Sequence, residues 1–283
     1  MLKYKKIFLG NSCNNSCLHC PAGFDIHPAP DVTSVVRSLE QDKGDNIVFY
    51  GGEPTLCKEL PDIIKSAAGL GYRRIKLISN GRAFSDSQYL VRTVEAGCNL
   101  FEIKLFGSNP GIHDSITRKE GSFWQTLQGM ENIGSLTCDK FICARIPLFI
   151  QNRMDIESIV TLAINLGVHR ILLSPADYLT EMKESLPHIR NAINVSVLNR
   201  VWILIEGMPF CILKGIEPHI SELYYGNDSV FPGDYRQFQA CGKCVYREIC
   251  PGADSRYLER FGHDEFSPVT ESSSLSDIKA LHE

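Results

Sequence analysis

The residues best placed to do chemistry are cysteines, and they come in two groups. CNNSCLHC, Cys13 to Cys20, follows the strand-like run KKIFLG and carries three thiols at spacings of four and three residues. Three is an odd number for a disulfide framework and one short of a closed four-thiolate site. Such a triad can hold zinc with a water or an outside ligand, and His19 inside the loop is a candidate for that ligand. It can equally tie down three irons of a [4Fe–4S] cube and leave the fourth open to an exogenous group. The second group, Cys211, Cys241, Cys244 and Cys250, has four members, enough to close a structural zinc site or a second cluster. Cys57, Cys98, Cys138 and Cys143 complete the eleven cysteines.

Something must hold those loops in place. Apolar, β-branched runs recur: KKIFLG, NIVFYGG, RIKLISNG, LFEIKLFG, FICARIPLF and RILLSPAD. Between them lie amphipathic stretches such as ELPDIIKSAAGLG, SQYLVRTVEAG, SFWQTLQGMENIG and DIESIVTLAINLG, most of them ending on a glycine that can cap a helix. Six strand–helix units predict an α/β fold of parallel strands with crossover helices, either an open doubly wound sheet or a barrel. VWILIE (201–206) is a further strand candidate. After it the rhythm breaks into a stretch rich in Pro, Gly, Cys and Tyr, read as a small metal-organised appendage. The Ser-rich tail carries no assigned function.

The three-cysteine loop falls at the C-terminal end of the first strand, where such folds keep their active sites. The second strand ends in YGGEPTL. Gly51 and Gly52 permit a close backbone approach, and Glu53 offers a carboxylate to an ammonium group. A tight strand-to-helix turn would use the same residues.

Together, CxxxCxxC after the first strand and GGEP after the second resemble the radical SAM superfamily over roughly residues 5–180. The resemblance implies a partial (β/α)6 TIM-type barrel, a [4Fe–4S] cluster and S-adenosylmethionine (SAM) on its free iron. It also implies a 5′-deoxyadenosyl radical that abstracts a substrate hydrogen, and an electron donor such as flavodoxin or ferredoxin. Carried over by position, Cys13, Cys17 and Cys20 match the cluster ligands, and His19 stands where an aromatic residue near the adenine is usual. Gly51, Gly52 and Glu53 match the segment that binds the methionine amino group, and Ser79 and Asn80 match ribose or carboxylate contacts. Arg145 stands where relatives place a carboxylate-binding arginine. A guanidinium buried in ICARIPLF needs an anionic partner in any case, unless it reaches solvent from an edge.

Glu102 and Lys104 alternate to one face of the fourth strand. In a barrel that face is interior, so both are candidates for contacts with SAM or substrate, Glu102 with a possible catalytic role; a plain Glu–Lys ion pair is the other reading. Cys57, just after GGEP, is a candidate hydrogen donor to a substrate radical, or simply core filling. Cys98, Cys138 and Cys143 read as ordinary thiols. The four later cysteines resemble a shortened SPASM or twitch domain with one auxiliary [4Fe–4S] cluster, although the long SPASM pattern is incomplete after Cys250. The expected division is barrel 1–205, auxiliary cluster domain 206–266 and tail 267–283.

The chain has 283 residues, 43% hydrophobic and 22% charged, with 29 basic against 33 acidic residues and a net charge of −4. That balance shows no polyanion footprint, so no nucleic-acid partner is expected. The N-terminus lacks an apolar signal region, and no apolar run approaches the ~18 residues of a membrane span. A cytoplasmic protein with reduced thiols and no membrane partner is expected. The first strand begins almost at once, which tilts the expectation toward a small-molecule or short-peptide substrate. The reaction expected is an oxidation, either dehydrogenation or cross-linking; the alternatives are a radical epimerase with a cysteine hydrogen donor, or a non-catalytic iron–sulfur carrier or zinc protein.

Overall fold

Alternation along the strands decides the architecture. The computed structural model describes residues 3–18, 20, 30–41, 44–177, 179–227 and 233–271. His19 and most of the Ser-rich tail, 272–283, lie outside the described residues, so the expectation for His19 is left where the sequence puts it.

Seven strands form one sheet in chain order: β1 (Lys5–Phe8), β2 (Asn46–Tyr50), β3 (Arg74–Ser79), β4 (Leu100–Lys104), β5 (Phe141–Leu148), β6 (Arg170–Pro175) and β7 (Trp202–Ile205). Every neighbouring pair is parallel. Parallel strands cannot be joined by tight turns, and helices supply the crossovers. These are α1 (Val32–Gln41), α2 (Leu60–Gly69), α3 (Ser87–Glu95), the pair α4 (Pro110–Thr117) and α5 (Ser122–Ser135), α6 (Ile156–Asn165) and α7 (Leu186–Leu198). The result is a partial TIM-type barrel, with one strand more than the six expected. VWILI is apolar enough to pair, and it does so through Ile203 on Ile171 and Leu204 on Leu172.

The two sides of the sheet divide cleanly with the period of two that strands impose. Ile47, Phe49, Leu77, Phe101, Ile103, Ile146 and Ile171 point outward into one buried apolar cluster under the helices. Their neighbours Lys76, Glu102, Lys104, Cys143, Arg145 and Leu172 point inward and line a cavity. Helix ends follow the sequence signals. The Asp86 carboxylate accepts the backbone N–H groups of Gln88 and Tyr89 at the start of α3. Past its end, Gly97 has φ 120°, and a Cβ there would stand 2.9 Å from the Ala68 Cβ.

Beyond β7 the chain makes the short helix α8 (Glu222–Tyr225), the two-stranded antiparallel pair β8 (Tyr235–Arg236) and β9 (Ala253–Asp254), and α9 (Ser255–Phe261). This part does not stand apart. Tyr257, Phe210, Tyr246 and Phe266 join the same apolar cluster as the barrel helices. The fully buried Tyr257 and the Glu265 carboxylate both accept the Met182 backbone N–H, at 3.1 and 3.2 Å. No helix among the described residues is long and apolar enough to cross a membrane.

Candidate active site and cysteine pockets

The cysteine loop is clamped from three sides. At its base the chain runs alongside the end of β2: Gly52 N–H donates to Gly10 O at 2.9 Å, and Glu53 N–H to Ser12 O at 2.8 Å. Here the two glycines are obligatory. A Cβ on Gly51 would stand 2.2 Å from Gly10 O, and one on Gly52 would stand 2.4 Å from Asn11 O. The close approach foreseen at this pair is therefore to the loop's own backbone. On the second side, Ser16 and Leu18 donate their N–H groups to Thr117 O and Ile116 O, both at 2.9 Å, using carbonyls that the end of α4 leaves without helical partners. On the third, Arg82 Nη1 donates to Asn14 O at 2.6 Å and Asn15 Oδ1 at 2.7 Å, while Asn80 Nδ2 donates to Asn14 Oδ1 at 2.6 Å.

Held this way, Cys13, Cys17 and Cys20 all line one cavity of about 910 Å³, together with Asn15, Gly52 and Asn80. Burial raises the Cys13 thiol, against the Asn15 N–H that donates to its sulfur at 3.4 Å. Burial pushes the Cys17 thiol up to about 12. Lys104 lines the same cavity and lowers both thiols by its charge. Among the described residues no three His, Cys, Asp or Glu side chains converge on the position of a single ion. The donor set, three soft sulfurs on the wall of one cavity, fits an iron–sulfur cluster that Cys13, Cys17 and Cys20 would hold.

GGE and SNG meet each other. The Glu53 side chain, 2% exposed, accepts from Thr55 N–H (3.1 Å), Thr55 Oγ1 (2.7 Å) and Ser79 Oγ (2.8 Å) on one oxygen, and from Asn80 N–H (2.7 Å) on the other. Its carboxylate ties the ends of β2 and β3 together, and Ser79 is spent on the same bond and on Gly81 N–H. Asn80, in contrast, lines the cavity.

Arg145 does find its anionic partners inside the protein and does not sit at an edge. Its Nε donates to Glu102 Oε1 and its Nη1 to Glu206 Oε1, both at 2.5 Å, and Lys76 Nζ reaches Glu102 Oε2 at 3.3 Å. Four charges thus alternate across the barrel interior. Burial opposes ionisation of Glu102, but Arg145 and Lys76 outweigh it and hold the carboxyl at about 2. Glu102 is thus paired twice, as the counter-ion of Arg145 and Lys76. The cation it pairs with across β3 and β4 is Lys76, not Lys104.

Cys57 needs a correction. It is not among the residues lining the cavity: it packs on the outer apolar core, and its thiol reaches Glu59 Oε2 at 3.7 Å. The turn that follows GGEP carries it away from the interior. Cys143 is the scattered thiol that does face inward, buried, beside Leu172 and Leu204, and pushed up to about 12 by burial. Strand parity with Arg145 was the signal for it, and the same parity marks Lys76 and Glu206. Nothing in the sequence marked Arg82.

Cys211, Cys241, Cys244 and Cys250 come together around a separate small cavity of about 30 Å³. Burial pushes Cys211 up to about 11, opposed by the Ser267 N–H and reinforced by the other three sulfurs. Gly252 N–H donates to Cys250 Sγ at 3.4 Å, and a Cβ on Gly252 would lie 2.4 Å from Arg236 O. The wall between the cavities is thin: Cys250 and Gly252 line the small one, while Pro251 and Asp254 line the large one.

The profile of the radical SAM superfamily matches residues 7–163, more than half of the chain, from the end of β1 through β5. The chain belongs to the radical SAM superfamily. An AdoMet-dependent heme synthase from Oleidesulfovibrio alaskensis is 30% identical over 126 residues, which is 42% of this chain and 32% of that protein. A probable GTP 3′,8-cyclase from Saccharolobus islandicus is 25% identical over 177 residues, 59% of this chain and 55% of that protein. The chain thus spans about a third to a half of the relatives it matches. Among solved structures, native anSMEcpe with bound AdoMet and a Kp18Cys peptide superposes with a TM-score of 0.61 at 13% identity, covering 89% of each chain. Streptococcus suis SuiB bound to S-adenosylmethionine gives 0.60 at 11% identity, covering 95% of this chain and 76% of SuiB. These likenesses establish the fold. Membership implies a SAM-binding [4Fe–4S] cluster.

Proposed function

We propose that this radical SAM enzyme oxidises a small molecule or peptide within the large cavity, by dehydrogenation or cross-linking, with a second [4Fe–4S] cluster on Cys211, Cys241, Cys244 and Cys250 taking up an electron. The observation that carries the reading is the pair of cavities: three thiols on the wall of a roomy chamber, four around a small one, with the short segment 250–254 lining both. When loaded, the three-thiolate cluster supplies a radical from SAM that removes a substrate hydrogen. The protein's part is to hold Cys13, Cys17 and Cys20 on a loop fixed by Gly52, Arg82 and the end of α4. Asn80 and Lys104 offer polar contacts to the bound nucleoside and methionine groups, and the Lys76–Glu102–Arg145–Glu206 row keeps the chamber's polar wall rigid. Four sulfur ligands would close the second cluster against substrate, which suits electron transfer better than binding. An electron donor such as flavodoxin or ferredoxin completes the system.

The test is anaerobic reconstitution followed by iron and sulfide analysis, then incubation of the reduced protein with SAM. About eight irons per chain and 5′-deoxyadenosine are expected. Stoichiometric zinc without iron sinks the reading. Epimerisation remains a second reading on one observation: Cys143 places a protonated thiol in the cavity wall. Product mass separates the two, because oxidation loses two hydrogens whereas epimerisation in deuterated water gains a deuteron.

A further inference from the structure

One buried carboxyl in the chamber is not accounted for. Glu222, at the start of α8, is 7% exposed and lines the large cavity. Its Oε1 accepts the Gly207 N–H at 2.7 Å, and its Oε2 has no hydrogen-bond partner among the described residues. Leaving a buried oxygen unpaired carries a desolvation penalty. The two oxygens turn together about the terminal torsion, so bringing an unpaired oxygen to face the cavity exchanges the pair or gives up the Gly207 bond.

The basic groups that line the cavity, Arg74, Lys76, Lys104, Arg145, Arg170 and Arg256, make no hydrogen bond to Glu222 Oε2. Lys76 and Arg145 are matched against Glu102 and Glu206, two cations for two carboxylates. Asp254, also on the cavity wall, is matched by Arg256 Nε at 2.9 Å. Glu222 takes part in none of these pairs; Arg170 is held over the Tyr225 ring beside it, and Glu206 adds its negative charge nearby. A buried anion beside another anion calls for a cation.

We propose that Glu222, with Glu206 beside it, is the subsite for an ammonium group of the substrate. A hydroxyl would supply the hydrogen bond and leave the charge uncompensated, whereas an ammonium supplies both. The substrate class is therefore an amine-bearing small molecule or peptide. This rests on the large cavity being the substrate chamber of a radical enzyme. Burial pushes the Glu222 carboxyl up to about 7, the Gly207 N–H opposing and Glu206 reinforcing. Part of the protein population therefore gives up a proton when the ammonium arrives. The other titratable and charged groups on this part of the wall are Arg170 on β6, Glu206 after β7, Tyr225 on α8, Tyr235 on β8, Asp254 on β9 and Arg256 on α9. Burial holds Tyr235 at about 12, outside the neutral range.

The test titrates reconstituted, SAM-loaded enzyme near neutral pH with diaminobutane and, separately, with butanediol. Calorimetry in buffers of differing ionisation enthalpy counts the protons released. Diaminobutane should bind in the millimolar range with proton release, and butanediol at least ~10-fold more weakly. Glu222→Gln, whose carbonyl can still accept from Gly207, should lose ~10-fold in diamine affinity and the proton release with it. Equal binding of diol and diamine, an unaltered Glu222→Gln titration, or no diamine binding at all overturns the proposal. The wild-type comparison of the two probes needs no variant, so a folding defect cannot obscure the outcome. Failure of the radical reading would appear elsewhere, as no 5′-deoxyadenosine from wild-type enzyme and SAM.

Discussion

Two groups of cysteines share one chain and differ in what surrounds them. The first group has three sulfurs on the wall of a cavity of about 910 Å³, and the second has four around one of about 30 Å³. The first is held by a frame of hydrogen bonds from β2, Arg82 and α4; the second sits among aromatic side chains continuous with the barrel's core. A missing ligand beside free volume leaves room for a reactant, while a full ligand set in a tight space does not. Under the proposed function, the difference separates a place for chemistry from a place for support.

That contrast can be broken most severely at the open site. Replacing Cys13, Cys17 and Cys20 with alanine should abolish 5′-deoxyadenosine formation and lower the iron content from about eight to about four per chain. Loss of all iron would mean that the two sites are not independent. Next in size is Glu102→Gln, which leaves Lys76 facing a neutral group and should cost about 3–5 kcal/mol in urea denaturation at neutral pH, the range for breaking a buried pair. The sign of its pH dependence follows from a carboxyl held at about 2, below its ordinary 4.5. The stabilisation is complete above the ordinary value and fades as pH falls from 4.5 toward 2, so the gap between wild type and variant should narrow in that window.

Gly52→Ala forces a Cβ to within 2.4 Å of Asn11 O and should cost about 1–3 kcal/mol, as overpacking does. Its effect should fall on the first cluster alone, seen as a changed EPR signal on SAM addition. Smallest is Cys250→Ala, which should remove about four irons while the SAM-responsive EPR signal of the first cluster persists. Disappearance of that signal would erase the distinction between the groups.

Much of this was legible in the sequence because strands and motifs are local. CxxxCxxC, GGEP and the alternation in IKLIS, LFEIK and FICARI mark the loop, its neighbour and the inward-facing rows without any coordinates. The partners of Arg145 were not legible, since Glu102 and Glu206 lie 43 and 61 residues away in the chain. Parity shows which way a side chain faces and not which charge meets it. Cys57 misled for a related reason: nearness to GGEP in the chain is not nearness in space once a tight turn intervenes. Arg82 carried no pattern at all, and its role emerges only when Asn14 and Asn15 are folded beneath it.

The segment from Cys250 to Asp254 has a consequence of its own. Its residues face two chambers in turn, so it acts as a shared partition and not as the lining of either. A displacement of the partition that enlarges one chamber must shrink the other. If a cluster fills the small chamber, the same segment that lines it also forms part of the large chamber's wall, so substitutions in 250–254 should be felt at both.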